Sequence, residues 1–426
     1  MDTSTTRHRR LSLRLRLALV AGSASLALGG LEVLLHAAPR LLPAWYRMRF
    51  PPNGVEFAEP GVLDRTPVNG LPLPYGVDAH DGPPPHDLVD YGVAPQHAAA
   101  LDREDVPRLI LPIDSDGLPN HDRTTEAAVA LVGDSFMVFG SQRRPPGLQA
   151  YLEEHLTPSI INVGVSGIGP AQELYLLERV ALPQNPRLVL WFFFGGNDLI
   201  DAFWLQVHIA QGNRTLGDLF RDRRAPRFYL PSLFLELLRP APRPRASEVL
   251  PGFRWGDSPN RTLWLYPDTL RSMVLKTADL KDNPGWHAIT DVLGAARRAC
   301  DQARSRLLVV YLPSKEQVML PRVQPDGELL QRYIRSSTLF GLPFPADPEE
   351  LLATILKNRG TLEMALEEHC KSAGIAYWSA TPIFEAHADR GSNPFYVADS
   401  HWRSEVQVEV AEAMVRALER LGLWSK

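Results

Sequence analysis

The feature that most constrains the fold is an alternation that sets in at residue 127, where short, nearly continuous apolar runs take turns with stretches of helical period. "AAVALVGDS" at 127–135, "SIINVGVSG" at 159–167 and "RLVLWFFFGGND" at 187–198 are the first runs; "SRLLVVYLPS" at 305–314 and "GIAYWSAT" at 374–381 follow. Strands with no polar alternation belong in a parallel sheet covered on both faces. Between them, "GPAQELYLLERVAL" at 169–182 and "TDVLGAARRACDQAR" at 290–304 read as helices. Strands alternating with helices require right-handed crossovers and a doubly wound α/β sheet. Such sheets bind ligands at the carboxyl ends of their strands.

Outside this rhythm the chain divides further. Residues 39–126 carry many of the 38 prolines, as in "DGPPPHD" at 81–87 and "LILPIDSDGLPNHD" at 109–122, and read as an accessory β/loop segment. Between about 203 and 286 the alternation breaks down into "RDRRAPRFYLPSLFLELLRPAPRPR" and "WGDSPNRTLWLYPD". This is a long insertion after the third strand of the domain at 127–426, suited to a lid or a polymer-binding rim, or else a solvated excursion.

At the N-terminus, Arg7, Arg9, Arg10, Arg14 and Arg16 precede the apolar stretch "LALVAGSASLALGGLEVLL" at 17–35. About 20 apolar residues span a bilayer as a helix, and the basic flank stays in the cytoplasm. Residues 1–38 are therefore expected to be an uncleaved transmembrane anchor, single-pass in a bacterial inner membrane, with the rest of the chain on the periplasmic side. A cleaved signal peptide and a buried amphipathic helix are the alternatives.

The 426 residues are 45% hydrophobic and 22% charged, which is ordinary globular composition, and a formal net charge of -4 offers no electrostatic footprint for nucleic acid. Cys300 and Cys370 could form one bridge or stand as two buried thiols. No histidine shows metal-ligand spacing, so neither a metal nor a cofactor is expected.

Three strands end in polar or glycine loops, at Ser135, Gly167 and Asn197. Taken singly these have bland readings: Asp134 and Ser135 as a helix N-cap, Gly164, Gly167 and Gly169 as tight turns, and Asn197 as a turn or cap. Near the C-terminus "FYVADSHWRSEVQVEVAEAMVRALERLG" places Asp399 and His401 just before a helix with apolar residues Val406, Val410, Ala413, Met414, Ala417 and Leu421. A serine hydroxyl needs a base to remove its proton, and the base needs an acid to fix its tautomer. Ser135, His401 and Asp399 fit those needs. Backbone N–H groups at Ser135 and Gly167 and the Asn197 amide could form an oxyanion hole.

Together, Gly133-Asp134-Ser135, "NVGVSGIGP" with Gly167, "GGND" with Asn197 and the C-terminal Asp-x-His resemble the SGNH/GDSL hydrolase family. The blocks are spread over about 300 residues, in order, at strand ends. The resemblance implies a flavodoxin-like three-layer α/β/α fold, with Ser135 as nucleophile, His401 as general base and acid, Asp399 as its orienting partner and Gly167 and Asn197 as oxyanion donors. Many members place the aspartate three residues before the histidine, where this chain has Ala398. The "DSHW" form is similar to the bacterial branch that handles polysaccharide O-acetyl groups, although that branch carries its blocks in another order. "DSDGLPN" and "YLPSKEQV" also look like features of membrane-tethered bacterial members. The expected activity is that of an extracytoplasmic esterase or acyltransferase on O-acyl groups of a polysaccharide, with a possible membrane acetyl-donor partner. A catalytically silent glycan-binding or scaffold component of an export assembly is the alternative.

Overall fold

A computed structural model describes residues 13–38, 118–120, 126–143, 145–157, 159–210, 228–238, 250–256, 262–337, 343–397 and 399–424, with isolated positions between. Ala398 and nearly all of the segment at 39–126 lie outside the described residues.

The core is a parallel sheet of β1 (Val129–Val132), β2 (Ile160–Asn162), β3 (Leu188–Phe194), β4 (Arg306–Leu312) and β5 (Ala376–Ser379) in the order β2-β1-β3-β4-β5. Val129 pairs with both Ile160 and Leu188, Leu188 pairs with Arg306, and Leu308 pairs with Ala376. The helices include α1 (Leu13–Ala37), α2 (Ser135–Gly140), α3 (Leu148–His155), α4 (Pro170–Leu176), α5 (Asp198–Ala210), α6 (Tyr229–Leu238), α7 (Pro284–Gln302), α8 (Lys315–Met319), α9 (Thr361–Ser372), α10 (Thr381–Asp389) and α11 (Ser404–Arg420), with further helical segments between α4 and β3, between α6 and α7 and between α8 and α9.

Strand residues alternate between the faces, so each strand needs apolar residues at every position. In β3, Leu188, Leu190, Phe192 and Phe194 join one core with Leu148 and Leu152 of α3, Phe384 of α10, and Val406, Val410 and Met414 of α11. Val189, Trp191 and Phe193 join the other with Leu199 of α5, Ile289, Leu293 and Ala296 of α7, and Leu366 of α9. The result is a three-layer α/β/α fold. Cys300 and Cys370 are free buried thiols in this second core, each pushed up to about 12 by burial. In α11 the stripe of Val406, Val410, Met414 and Ala417 is buried as its period predicts. Leu421 is 48% exposed because the helix ends at Arg420.

The expected membrane anchor requires correction. A helix forms where the apolar stretch lies, yet among the described residues no helix is long and apolar enough to cross a membrane. The single-pass inner-membrane placement and the membrane contact derived from it fall with that anchor. Glycines and serines dilute the run, and Glu32 has a partner within the protein. Its carboxylate accepts the Tyr229 N–H and, at 2.8 Å, the Leu230 N–H, in the first turn of α6, where backbone donors have no acceptor within the helix. Leu35 packs on Tyr229 beside that contact.

Phe193 is fully buried and stacks on Tyr311 at a centroid distance of 6.2 Å. Replacing it by alanine in this buried strand is expected to cost about 3–5 kcal/mol, read as a fall in the urea midpoint at unchanged slope.

Candidate active site

Ser135 begins α2 directly after β1. Asp134 is the N-cap: its Oδ1 accepts the Phe136 N–H at 2.9 Å, so the capping reading holds for Asp134 and leaves the serine hydroxyl for other work. The junction is tight. A Cβ at Gly164 would lie 2.5 Å from Met137 Cβ in α2, so only glycine lets the loop after β2 approach so closely. Gly167, in the same loop, takes a left-handed φ of 72°.

From the far end of the chain, the loop between α10 and α11 brings in Asp399 and His401. An antiparallel bridge between Phe395 and Trp402 closes this loop, and the Tyr396 N–H donates to the His401 carbonyl at 3.0 Å. His401 Nε2 lies 2.8 Å from Ser135 Oγ, and His401 Nδ1 lies 2.6 Å from Asp399 Oδ1. With Asp399 accepting from Nδ1, Nε2 carries the lone pair that accepts the serine hydroxyl. Asp399 is 2% exposed and His401 8% exposed, so the carboxylate is shielded and its contact with the imidazole is strong. The Phe139 ring stacks on the imidazole at 4.0 Å and 8°. This buried chain is the arrangement of a Ser-His-Asp hydrolase.

The two-residue spacing works through a turn. Asp399 Oδ1 also accepts the His401 backbone N–H at 2.7 Å, an Asx-turn that places residue 401's ring back over the carboxylate. Asn197 follows β3 and lies near enough to Asp134 to lower its pKa. Thus Ser135, His401 and Asp399 are joined directly, while Asn197 and Gly167 occupy neighbouring loops at the same sheet edge.

Sequence reasoning did not anticipate two further sets of residues. Asn162, at the end of β2, donates to the Met137 carbonyl at 2.9 Å and to Gln149 Oε1 at 3.0 Å, tying β2 to α2 and α3. Its backbone is gripped by Asn120, whose amide nitrogen donates to the Asn162 carbonyl at 3.0 Å and to Asp114 at 2.9 Å. Asp114 and Asn120, the two ends of "DSDGLPN", thereby reach the site. The sequence marked that string without giving it a partner, and marked Asn162 only as an amide ending an apolar run.

The second set is acidic. Burial raises the pKa of Asp134, Glu173, Asp198 and Asp201, and the charge of Asp134 raises the other three further, while the Phe136 N–H and His401 draw that of Asp134 back down. Glu173 accepts the Trp191 indole N–H at 2.7 Å, and Asp198 accepts the Phe194 N–H at 2.8 Å. Glu173 and Asp198 are held well above the usual carboxylate range, and Asp201 is pushed up to about 7. Among the described residues no group of His, Cys, Asp or Glu is placed to hold a metal ion.

No family model and no curated protein sequence matches the chain. Among solved structures, it is similar to an acetyl xylan esterase at 12% identity and a TM-score of 0.33, over 68% of this chain and 98% of that one. It is also similar to a lipase/acylhydrolase from Enterococcus faecalis at 10% identity and a TM-score of 0.30, over 69% and 96%. An acetylxylan esterase from Geobacillus stearothermophilus aligns at 9% identity and a TM-score of 0.33, over 69% and 94%.

The acidic set makes stability depend on pH. A carboxyl group whose folded pKa exceeds its unfolded value stabilises the fold below the unfolded pKa and loses that contribution as pH rises through the folded one. For Asp201 the window runs from about 4 to about 7. Denaturant unfolding is expected to show lower stability at pH 8 than at pH 5. Asp201→Asn should flatten that slope and exceed the parent in stability only at the higher pH.

Proposed function

We propose that this chain is a serine-dependent esterase or acyltransferase of the SGNH/GDSL kind, acting on O-acyl groups, with O-acetyl groups of a polysaccharide as its substrate class. The hydrogen-bonded chain from Ser135 through His401 to Asp399 carries the reading. The block order of "GDS", "NVGVSG", "GGND" and "DSHW" supports the family, and the last block supports the acetyl substrate.

The chemistry follows from the geometry. As Ser135 Oγ bonds to the acyl carbonyl carbon, its proton passes to His401 Nε2 and Asp399 stabilises the imidazolium. The negative charge that develops on the carbonyl oxygen is met by the Ser135 and Gly167 N–H groups and the Asn197 amide. Collapse breaks the bond to the leaving alcohol, whose oxygen takes the proton from His401. A water molecule or a sugar hydroxyl then attacks the acyl-enzyme while His401 takes its proton; the acyl bond to Ser135 Oγ breaks, the serine oxygen takes that proton back, and the acid or the new ester leaves.

The test is turnover of a chromogenic acetyl ester by the full chain, with intact-mass detection of an acylated serine. Ser135→Ala is expected to abolish both. Asp399→Asn should lower kcat by about 10⁴-fold through the wrong histidine tautomer. Asn197→Ala should lower it by about 10²–10³-fold through loss of one oxyanion donor. Turnover that survives in Ser135→Ala would overturn the reading.

A further inference from the structure

Lys315 opens α8, directly after the N-cap Ser314, whose hydroxyl accepts the Gln317 N–H at 3.1 Å. Its side chain is 0% exposed. The ammonium donates to the carbonyl oxygens of Tyr396 and Val397 at 2.7 Å each, and to that of Asp399 at 3.3 Å. Two costs attend this placement. A buried ammonium forfeits its hydration, and a cation at the start of a helix opposes the backbone dipoles. The adjacent carboxylate of Glu316 feels the Lys315 charge but makes its hydrogen bond elsewhere, accepting the Tyr266 N–H at 2.6 Å.

All three carbonyls belong to the loop that carries the acid and the base. In that loop, Asp399 Oδ1 is taken up twice by His401, through its backbone N–H and its ring. Asp399 Oδ2 is buried with no hydrogen-bond partner among the described residues. Among the described residues no donor from another element therefore aims the carboxylate. Its direction is set by the backbone that carries Asp399, whose carbonyl the ammonium holds together with those of Tyr396 and Val397.

We infer that Lys315 is a positioning residue for the acid–base arm, fixing the carbonyls of Tyr396, Val397 and Asp399 so that the Asp399 carboxylate meets the His401 imidazole. This rests on the reading of Ser135, His401 and Asp399 as a triad. Lys315 touches no reacting atom; it acts through the loop. A small displacement of a catalytic group from its working geometry is enough to lose about 100-fold in rate.

The experiment uses the full chain and two readouts. The first is steady-state kinetics of Lys315→Met, and of Lys315→Ala with and without n-propylammonium, on a chromogenic acetyl ester. The second is the downfield imidazole proton of the Asp399–His401 hydrogen bond, followed by NMR in a Ser135→Ala background, where turnover plays no part. Lys315→Met is expected to lower kcat by about 100-fold with KM unchanged, and to shift or abolish the downfield proton. Propylammonium should restore kcat to Lys315→Ala, whereas tetramethylammonium, which has no N–H, should not. A Lys315→Met chain with parental kcat and an unmoved proton overturns the inference. If Lys315→Met does not fold, the same comparison of the two ammonium ions on Lys315→Ala decides, and equal responses overturn it. If the parent itself turns over no ester, the functional reading fails on its own account, and the NMR comparison still decides the role of Lys315.

Discussion

The site depends on the parallel pairing of β1 between β2 and β3. Because every strand of the sheet runs in one direction, the loops that follow them open along one edge. β1 is only Val129–Val132, and its pairing of Val129 with Ile160 and Leu188 sets where the chain turns into Gly133, Asp134 and Ser135. A slip of one residue would exchange the two faces of the strand and carry the serine out of reach of His401. Both cores hold that register, since Val129 and Leu131 pack on one side and Ala130 and Val132 on the other.

Charge is distributed unevenly around this edge. On the Trp191 side the fold collects carboxyl groups that stay protonated more readily than carboxyls in water, and Asp134, Glu173 and Asp198 each accept a backbone or indole donor. On the opposite side it buries Lys315 among carbonyl oxygens, next in the chain to the buried Glu316. Neither arrangement is the least costly way to fill space. Apolar residues of similar size would avoid both desolvation penalties. The serine starts the short helix that follows β1.

Much of this was legible in the sequence, for a physical reason. Ser135, Asn197 and the Asp399–His401 pair are polar residues at the ends of apolar runs or at a helix start, so local pattern gives their places, and their order along the chain sets them apart from caps and turns. The strands were equally plain, because full burial demands an unbroken run such as "LVLWFFF". What escaped were residues whose meaning lies in a distant partner. Lys315 meets Tyr396 across 81 residues, and Asn120 meets Asn162 across 42. Glu32 misled in the same way: counted locally it is one interruption of an apolar stretch, but it caps a helix 197 residues further on. The α11 stripe was overextended to Leu421 because periodicity does not report where a helix stops.

The Asx-turn has an implication for how such a site can be inherited. The acid and the base are joined both by two covalent steps of chain and by two hydrogen bonds to one oxygen. Their mutual geometry is therefore carried largely within a tripeptide, which the scaffold has to fix at few points, chief among them the Lys315 ammonium on the carbonyls beside it. The dyad behaves as a compact part, carried at the foot of α11, that the rest of the protein holds and docks against a hydroxyl. Substitutions that remodel the sheet edge, the insertion or the surrounding loops can change what reaches the serine without having to rebuild the proton-transfer pair.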